Sequence, residues 1–282
     1  MSQSKLSAFR KVSNGAVTIA YRQYGNGQLV IMLHGFPDIE GTFSAQIEDL
    51  SKDYLVVTPR LRGYPPSGVP SGIENYALPA VAEDIKALVE HFGRGKAVIM
   101  GHDWGGAVAQ AFAWQHPELV SGVISMNVPM IATFNAIISA NGEQQTLSAY
   151  SLPYLRYRPG DGTNADFITR NIRDPDWRST IADYLKEQPV EGMLSYYKAN
   201  YPAPPYTSEA PAGFVLNVPT LIIWGLQDEY FSYAVLDGAA RYISQSMRLV
   251  TVPGAGHWVH RDASEVVNRE IRSWLRTLEN SK

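Results

Sequence analysis

Asp103 is the residue that its neighbours best equip to act as a nucleophile. It stands in Gly101-His102-Asp103-Trp104-Gly105-Gly106. An apolar run, Ala97-Val98-Ile99-Met100, leads in, and a small-residue, helix-prone run, Ala107 to Ala113, leads out. A buried strand that turns sharply into a helix, with small residues where the backbone folds tightly, is the layout of a nucleophile elbow, usually G-x-S-x-G. Here the central position holds a carboxylate. A carboxylate can attack carbon and form an ester that water later cleaves. The expected chemistry moves from ester cleavage by serine to displacement at an alkyl carbon.

Two further strand ends carry ionisable residues. Asp228 follows Trp224-Gly225-Leu226-Gln227, and His257 sits in Gly254-Ala255-Gly256-His257-Trp258. A histidine serves as a base when a carboxylate holds it in one tautomer. Glycines beside it let a tight loop bring the ring to the sheet edge. Hydrolysis of an ester also needs donors for the oxyanion, usually backbone N–H groups. The N–H of Trp104 and that of Phe36, in the turn His34-Gly35-Phe36-Pro37, are the candidates.

Taken singly, each residue has a plainer reading. An Asp at a strand-to-helix turn is commonly a helix cap. Asp228 alone reads as a turn residue, and a histidine among glycines as structural. Three residues of the required types, at three strand ends and with elbow glycines, favour the catalytic reading jointly. His102 is expected to pack beneath the elbow. His260 rivals His257 but lacks the Gly-x-Gly run and is expected at the start of the last helix. His34 and His116 read as structural.

The elements that must position these residues form two blocks. The first has strands at Val17 to Tyr21, Leu29 to Leu33 and Tyr54 to Thr58. A helix from Leu78 to Phe92 shows apolar spacing at Val81, Ile85, Leu88, Val89 and Phe92. The elbow strand and its helix follow, then a strand from Val120 to Met126. The second block has a strand from Pro219 to Trp224, a helix from Tyr233 to Ile243, a strand from Met247 to Val252 and a last helix from Ala263 to Leu278. Apolar strands alternating with helices predict a mostly parallel sheet covered on both faces, with its site at the strand ends. Residues 129–214 break the pattern, being rich in Tyr, Pro and Asn. They read as a helical cap inserted into a core of residues 1–128 and 215–282. The turn from Arg60 to Pro66 reads as a structural loop near the sheet edge.

The 282 residues are 45% hydrophobic, enough for a sizeable core, and carry a net charge of -3. That charge does not favour nucleic acid or an acidic membrane surface. With no cysteine there is neither a disulfide framework nor thiol chemistry. No segment reaches the ~20 apolar residues of a membrane span, and residues 1–10 hold no signal-like apolar core. The expectation is a cytoplasmic protein. The aromatic, Pro-rich stretch 129–214 suggests an apolar pocket for a small organic substrate.

These residues resemble the α/β-hydrolase superfamily over nearly the whole chain, including the order nucleophile, acid, histidine. Within it, His34-Gly35-Phe36-Pro37 with Gly101 to Gly106 is similar to the epoxide hydrolase group. So are Asn127-Val128-Pro129, Gly256-His257-Trp258 and Ser195-Tyr196-Tyr197-Lys198. The resemblance implies an eight-stranded, mostly parallel sheet under a helical cap, and a monomer or homodimer that needs no metal or organic cofactor. It also implies two cap tyrosines that hydrogen-bond the epoxide oxygen. Tyr197 matches the second, through Tyr-Tyr-Lys. The first corresponds to Tyr150, with Tyr154 as the alternate. Phe36, Trp104 and Tyr154 would line the substrate pocket.

Haloalkane and fluoroacetate dehalogenases are related alternatives that use the same triad. Trp104 matches one halide donor of the haloalkane group, but Phe36 stands where a side-chain donor is often found. Trp104 and Ala107 stand where fluoroacetate dehalogenases typically have arginines. A ligand-binding protein of the same fold without catalysis is a third alternative.

The resemblance implies two steps. Tyrosines polarise the epoxide while Asp103 attacks a ring carbon. Water deprotonated by His257, with Asp228 behind it, then attacks the ester carbonyl and releases a vicinal diol.

Overall fold

The computed structural model describes residues 7–207 and 209–280. Its centre is an eight-stranded sheet in the order β1-β2-β4-β3-β5-β6-β7-β8. The strands are β1 (Arg10–Asn14), β2 (Val17–Tyr24), β3 (Gln28–Leu33), β4 (Tyr54–Pro59), β5 (Ala97–His102), β6 (Val120–Met126), β7 (Thr220–Gly225) and β8 (Met247–Val252). From β4 to β8 all neighbours run parallel, whereas β1 pairs antiparallel with β2, and β2 with β4. The sheet is therefore mostly parallel, as the alternation of strands and helices predicts, and eight-stranded, as the family resemblance implies.

Alternation along the central strands divides their side chains between two faces. Val30, Met32, Val98, Met100, Ile124 and Leu221 face one layer with Ile47, Ile271 and Trp274. That layer holds α1 (Ser44–Leu50), and α10 (Val259–Asp262) and α11 (Ser264–Glu279) at the chain's end. Leu29, Ile31, Ile99, Val123 and Ile222 face the other, with Val81, Ile85 and Val108. Here lie α2 (Leu78–Phe92) and α3 (Trp104–Gln115). Both faces are covered, which is why these strands read as continuous apolar runs rather than alternating ones. Burial of one such Leu or Ile side chain contributes about 1.5–3 kcal/mol.

Among the described residues, six α-helices lie between β6 and β7: α4 (Ile131–Ala140), α5 (Gly142–Leu147), α6 (Leu152–Arg156), α7 (Ala165–Thr169), α8 (Pro175–Glu187) and α9 (Glu191–Asn200). Asp174 caps α8, accepting from the N–H groups of Asp176 and Trp177. Asn200 at the end of α9 accepts from the Leu78 N–H at 2.9 Å and donates to the Tyr76 carbonyl at 2.8 Å. Tyr196 donates to the Arg62 carbonyl at 3.0 Å. Arg62 in turn forms a buried two-pronged pair with Asp84, both contacts at 2.6 Å. The Arg60–Pro66 turn thus links the core to the helical insertion. Among the described residues, no helix is long and apolar enough to cross a membrane.

Three local expectations are corrected. The first strand region is longer than Val17 to Tyr21 and is preceded by β1, whose mostly exposed, polar residues give no apolar signal. Tyr233 to Ile243 is not one helix but two 3-10 turns, Tyr233–Leu236 and Ala239–Tyr242. Gly238, at φ +76° between them, interrupts helical geometry. His260 lies on the separate short helix α10 rather than at the start of α11.

Candidate active site

The elbow is built by close backbone approach. Asp103 joins β5 to α3 with φ 52° and ψ -127°. Such a conformation in a non-glycine residue costs of order 1–3 kcal/mol and needs surroundings that enforce it. The glycines supply them. A Cβ on Gly105 would fall 2.0 Å from the Leu33 carbonyl oxygen, and one on Gly101 would fall 2.3 Å from that of Gly105. Only bare backbone lets the start of α3 sit against the end of β3. This contact brings the turn after β3 to Asp103, and the Phe36 N–H donates to Asp103 Oδ1 at 2.8 Å. The Trp104 N–H, next along the chain, also favours the charged form of this carboxylate.

His257 stands at the other oxygen. Its Nε2 lies 3.6 Å from Asp103 Oδ2, and its Nδ1 donates to Asp228 Oδ2 at 2.8 Å. All three side chains are buried. Asp228 is saturated with donors. Its Oδ1 accepts from the N–H groups of Tyr230 and Phe231 at 2.8 and 3.1 Å, and its Oδ2 also accepts from Asn127 Nδ2 at 2.6 Å. The residues from three strand ends therefore converge, as their positions after β5, β7 and β8 allow.

The charges are mutually supporting. Burial alone would lower the His257 pKa, but the carboxylates of Asp228 and Asp103 raise it to about 10. Burial alone would raise that of Asp103, but His257 and the Trp104 N–H hold it below the usual carboxylate value. The resting pair is an imidazolium beside a carboxylate.

The other histidines occupy structural positions. His34 accepts from the Leu61 N–H at 3.1 Å, and burial lowers its pKa to about 4. His116 pairs with Glu83 at 2.7 Å. His102, fully buried under the elbow, donates to the His257 carbonyl at 2.9 Å. His260 contacts Thr42 rather than Asp103.

Tyrosines from the insertion roof the site. The Tyr197 ring meets Phe36 and Trp104 edge-on at 5.5 and 5.1 Å between centroids. Tyr150 packs its ring edge-on against that of Tyr197 at 6.2 Å between centroids, and burial drives both pKa values well above the usual tyrosine value. Tyr154 instead packs its ring on Phe36 and Tyr197, at 5.3 and 5.0 Å. Two cavities meet at Asp103 and Tyr150. The larger is mostly apolar, with Leu78, Trp104, Val128, Phe134 and Phe231 in its wall. The smaller is bounded by Phe36, Tyr154, Ile168, Tyr197, Tyr230 and His257.

Sequence reasoning overlooked Asn127 as a part of this constellation. Its side chain joins Asp228 to the end of β7, accepting from the Gly225 N–H at 2.9 Å. It also overlooked Asp38, two residues beyond Phe36, which collects three hydrogen bonds in the core. The one available signal was that each is a polar residue near a strand end.

Comparison with known proteins agrees with this architecture. The "alpha/beta hydrolase fold" family model matches residues 28–264. Epoxide hydrolase 3 of Xenopus tropicalis is 27% identical, with 88% of this chain and 71% of the relative covered. The AB hydrolase superfamily protein YfhM of Bacillus subtilis is 29% identical, with 94% and 96% covered. A crystal structure of Bacillus megaterium epoxide hydrolase with an inhibitor superimposes with a TM-score of 0.87 at 28% identity, covering 95% of this chain and 100% of that one. A mutant of that enzyme has been solved with its product (R)-3-[1]naphthyloxy-propane-1,2-diol. The strand order, the elbow and the family match lead to one conclusion: the chain belongs to the α/β-hydrolase fold family.

Proposed function

We propose that this protein is an epoxide hydrolase, opening an apolar organic epoxide to a vicinal diol through an ester on Asp103. The observation that carries this reading is that Tyr150 and Tyr197 line one cavity with the buried carboxylate of Asp103. Two phenols there provide donors for an epoxide oxygen. Residues 129–214 act as the cap that supplies them, over a core of residues 1–128 and 215–282. The apolar wall of the larger cavity suits a hydrocarbon substituent. The diol bound to the mutant Bacillus megaterium enzyme, with its naphthyloxy group, has that character.

In the first step Asp103 Oδ2 attacks a ring carbon and the carbon–oxygen bond breaks. The alkoxide takes a proton from the tyrosine pair. Phenol, with an ordinary pKa of ~10, is a far stronger acid than an aliphatic alcohol. Transfer to an alkoxide is therefore downhill even when burial raises the phenol. In the second step water attacks the ester carbonyl. Asp103 Oδ1 is then the carbonyl oxygen, and the Phe36 and Trp104 N–H groups receive its developing charge. His257 takes the proton from water, held by Asp228. Collapse expels the ester oxygen of the substrate, which takes the proton from His257 to complete the diol, and the Asp103 carboxyl gives up its proton to restore the tyrosine.

A dehalogenase is the second reading, favoured by one observation: the buried Trp104 indole N–H has no hydrogen-bond partner among the described residues. It would receive a departing halide. Phe36 supplies no second side-chain donor, so the tyrosine pair gives the epoxide reading precedence.

Intact-protein mass spectrometry of His257→Gln tests both. After exposure to epoxides and haloalkanes, a mass gain equal to a whole epoxide, absent from Asp103→Ala, is expected. A gain equal to a haloalkane less hydrogen halide would establish the second reading instead.

A further inference from the structure

A second buried polar cluster lies below His257, and the reaction described above does not use it. Atoms of Asp38, His102 and His260 lie within 4.8 Å of one another, and all three residues are fully buried. The hydrogen bonds fix the protons. A carbonyl only accepts, so His102 Nε2, 2.9 Å from the His257 carbonyl, carries its proton. Thr42 Oγ1 donates to Asp38 Oδ2 at 2.8 Å and therefore accepts from His260 Nε2, also at 2.8 Å. Both imidazoles are neutral, in keeping with burial that lowers the pKa of each.

Asp38 is the hub of this cluster. Its Oδ1 accepts from Trp177 Nε1 on α8 at 2.7 Å, and its Oδ2 from Trp258 Nε1 at 2.9 Å. Trp258 follows His257 directly, and the two rings pack edge-on at 5.0 Å. One carboxylate thus bonds both a helix of the insertion and the neighbour of the histidine base. A parallel contact supports the same joint: Arg261 stacks over the Trp177 ring at 4.5 Å and pairs with Asp174 at the start of α8.

We propose that Asp38 is a positioning residue that couples the seating of the cap to the placement of His257 for the water step. Asp103 is held at the elbow by the Phe36 N–H instead, and no bond of the Asp38 joint reaches it, so formation of the ester is expected not to depend on this joint. Substrates that seat α8 correctly would thereby align the base for their own release. The kinetic part of this inference rests on the epoxide hydrolase reading, and the structural part does not.

The test uses Trp177→Phe and Trp258→Phe, each of which keeps a ring and deletes one donor, together with Asp38→Asn. The first readout is the titration of His257 in the substrate-free protein, followed by histidine NMR and assigned with His257→Gln. The titratable groups facing His257 are Asp103, Asp228, His102 and Tyr230, with Glu229 accepting from its backbone N–H at 3.4 Å, and none of them is altered; Trp258→Phe does replace a ring packed on His257, so Trp177→Phe is the decisive variant. The midpoint is expected to fall by about half a pH unit or more in Trp177→Phe and Trp258→Phe, as His257 shifts from Asp228. The second readout is pre-steady-state kinetics with an epoxide. Ester hydrolysis is expected to slow about tenfold, with ester formation within about twofold of wild type. The double Trp variant should be little worse than the worse single one, because both act through one carboxylate. Trp177→Phe with an unchanged His257 titration overturns the proposal. So does a loss of thermal stability that moves neither readout. If Asp38→Asn does not fold, the two Trp variants carry the test. Failure of wild type to react with any epoxide would count against the proposed function and leave the titration result to decide the coupling.

Discussion

Asn127 and Asp228, 101 residues apart, meet at 2.6 Å through Asn127 Nδ2 and Asp228 Oδ2. The same oxygen accepts the His257 Nδ1 proton. Asn127 has φ +42°, a conformation that asparagine tolerates better than most residues. Asn127→Gly keeps the backbone permissive and removes the side chain with its bonds to Asp228 and Gly225. It is expected to slow ester hydrolysis about tenfold and to cost about 1–3 kcal/mol of stability. Pre-steady-state kinetics and urea unfolding would measure the two effects. An unchanged hydrolysis rate would mean that Asp228 needs no support from the end of β6.

The two-step scheme fixes the origin of the oxygen added to the substrate. Attack of water on the ester carbonyl puts its oxygen into Asp103, and the diol keeps the oxygen that Asp103 had carried. A single turnover in oxygen-18 water should therefore label the peptide containing Asp103 and leave the diol unlabelled. Label in the diol would point to direct attack of water on the epoxide.

The acid limb should belong to the second step. In the resting protein two carboxylates raise the His257 pKa to about 10 against the effect of burial. Ester formation removes the charge of Asp103, one of those two supports, so the pKa of His257 falls in the intermediate and the neutral base becomes available. As pH drops below that intermediate's pKa, His257 is protonated and ester hydrolysis slows about tenfold per unit. Of the groups that titrate in acid, ester formation needs only the Asp103 carboxylate, whose pKa is lowered, so this step persists to lower pH. Ester should accumulate in acid, as rapid-quench mass spectrometry would reveal. Parallel loss of both steps would place the titrating group elsewhere.

The tyrosine pair should act on the first step. Tyr197→Phe and Tyr150→Phe are each expected to slow ester formation by roughly 10²–10⁴-fold, the range of general acid catalysis, and to spare hydrolysis of ester already formed. Tyr154→Phe should have a smaller effect, because Tyr154 contributes ring contacts with Phe36 and Tyr197. A larger loss in Tyr154→Phe than in Tyr150→Phe would exchange their roles.

The parallel core of the sheet and the elbow are legible in the amino-acid order alone. Strands such as Leu29–Leu33 and Ala97–Met100 are buried on both faces, so burial leaves an unbroken apolar run that can be read directly. The elbow shows because its steric demand falls on glycines at fixed offsets. A side-chain carbon on Gly101 or Gly105 would fall about 2 Å from neighbouring backbone. Asp228 and His257 stand out because each closely follows a strand.

The remaining features arise only when the chain packs. β1 is mostly exposed and polar, so the hydrophobic pattern carries no trace of it. Which tyrosines meet Tyr197 depends on how the helices of the insertion pack: the rings of Tyr150 and Tyr154 both lie against it, and Tyr150 lines both cavities at Asp103. Asn127 with Asp228, and Asp38 with Trp177 and Trp258, are pairings across 101, 139 and 220 residues. Periodicity records which face of an element is buried. It does not record which polar groups meet once the faces close, and that choice of partners sets the charge and orientation of His257.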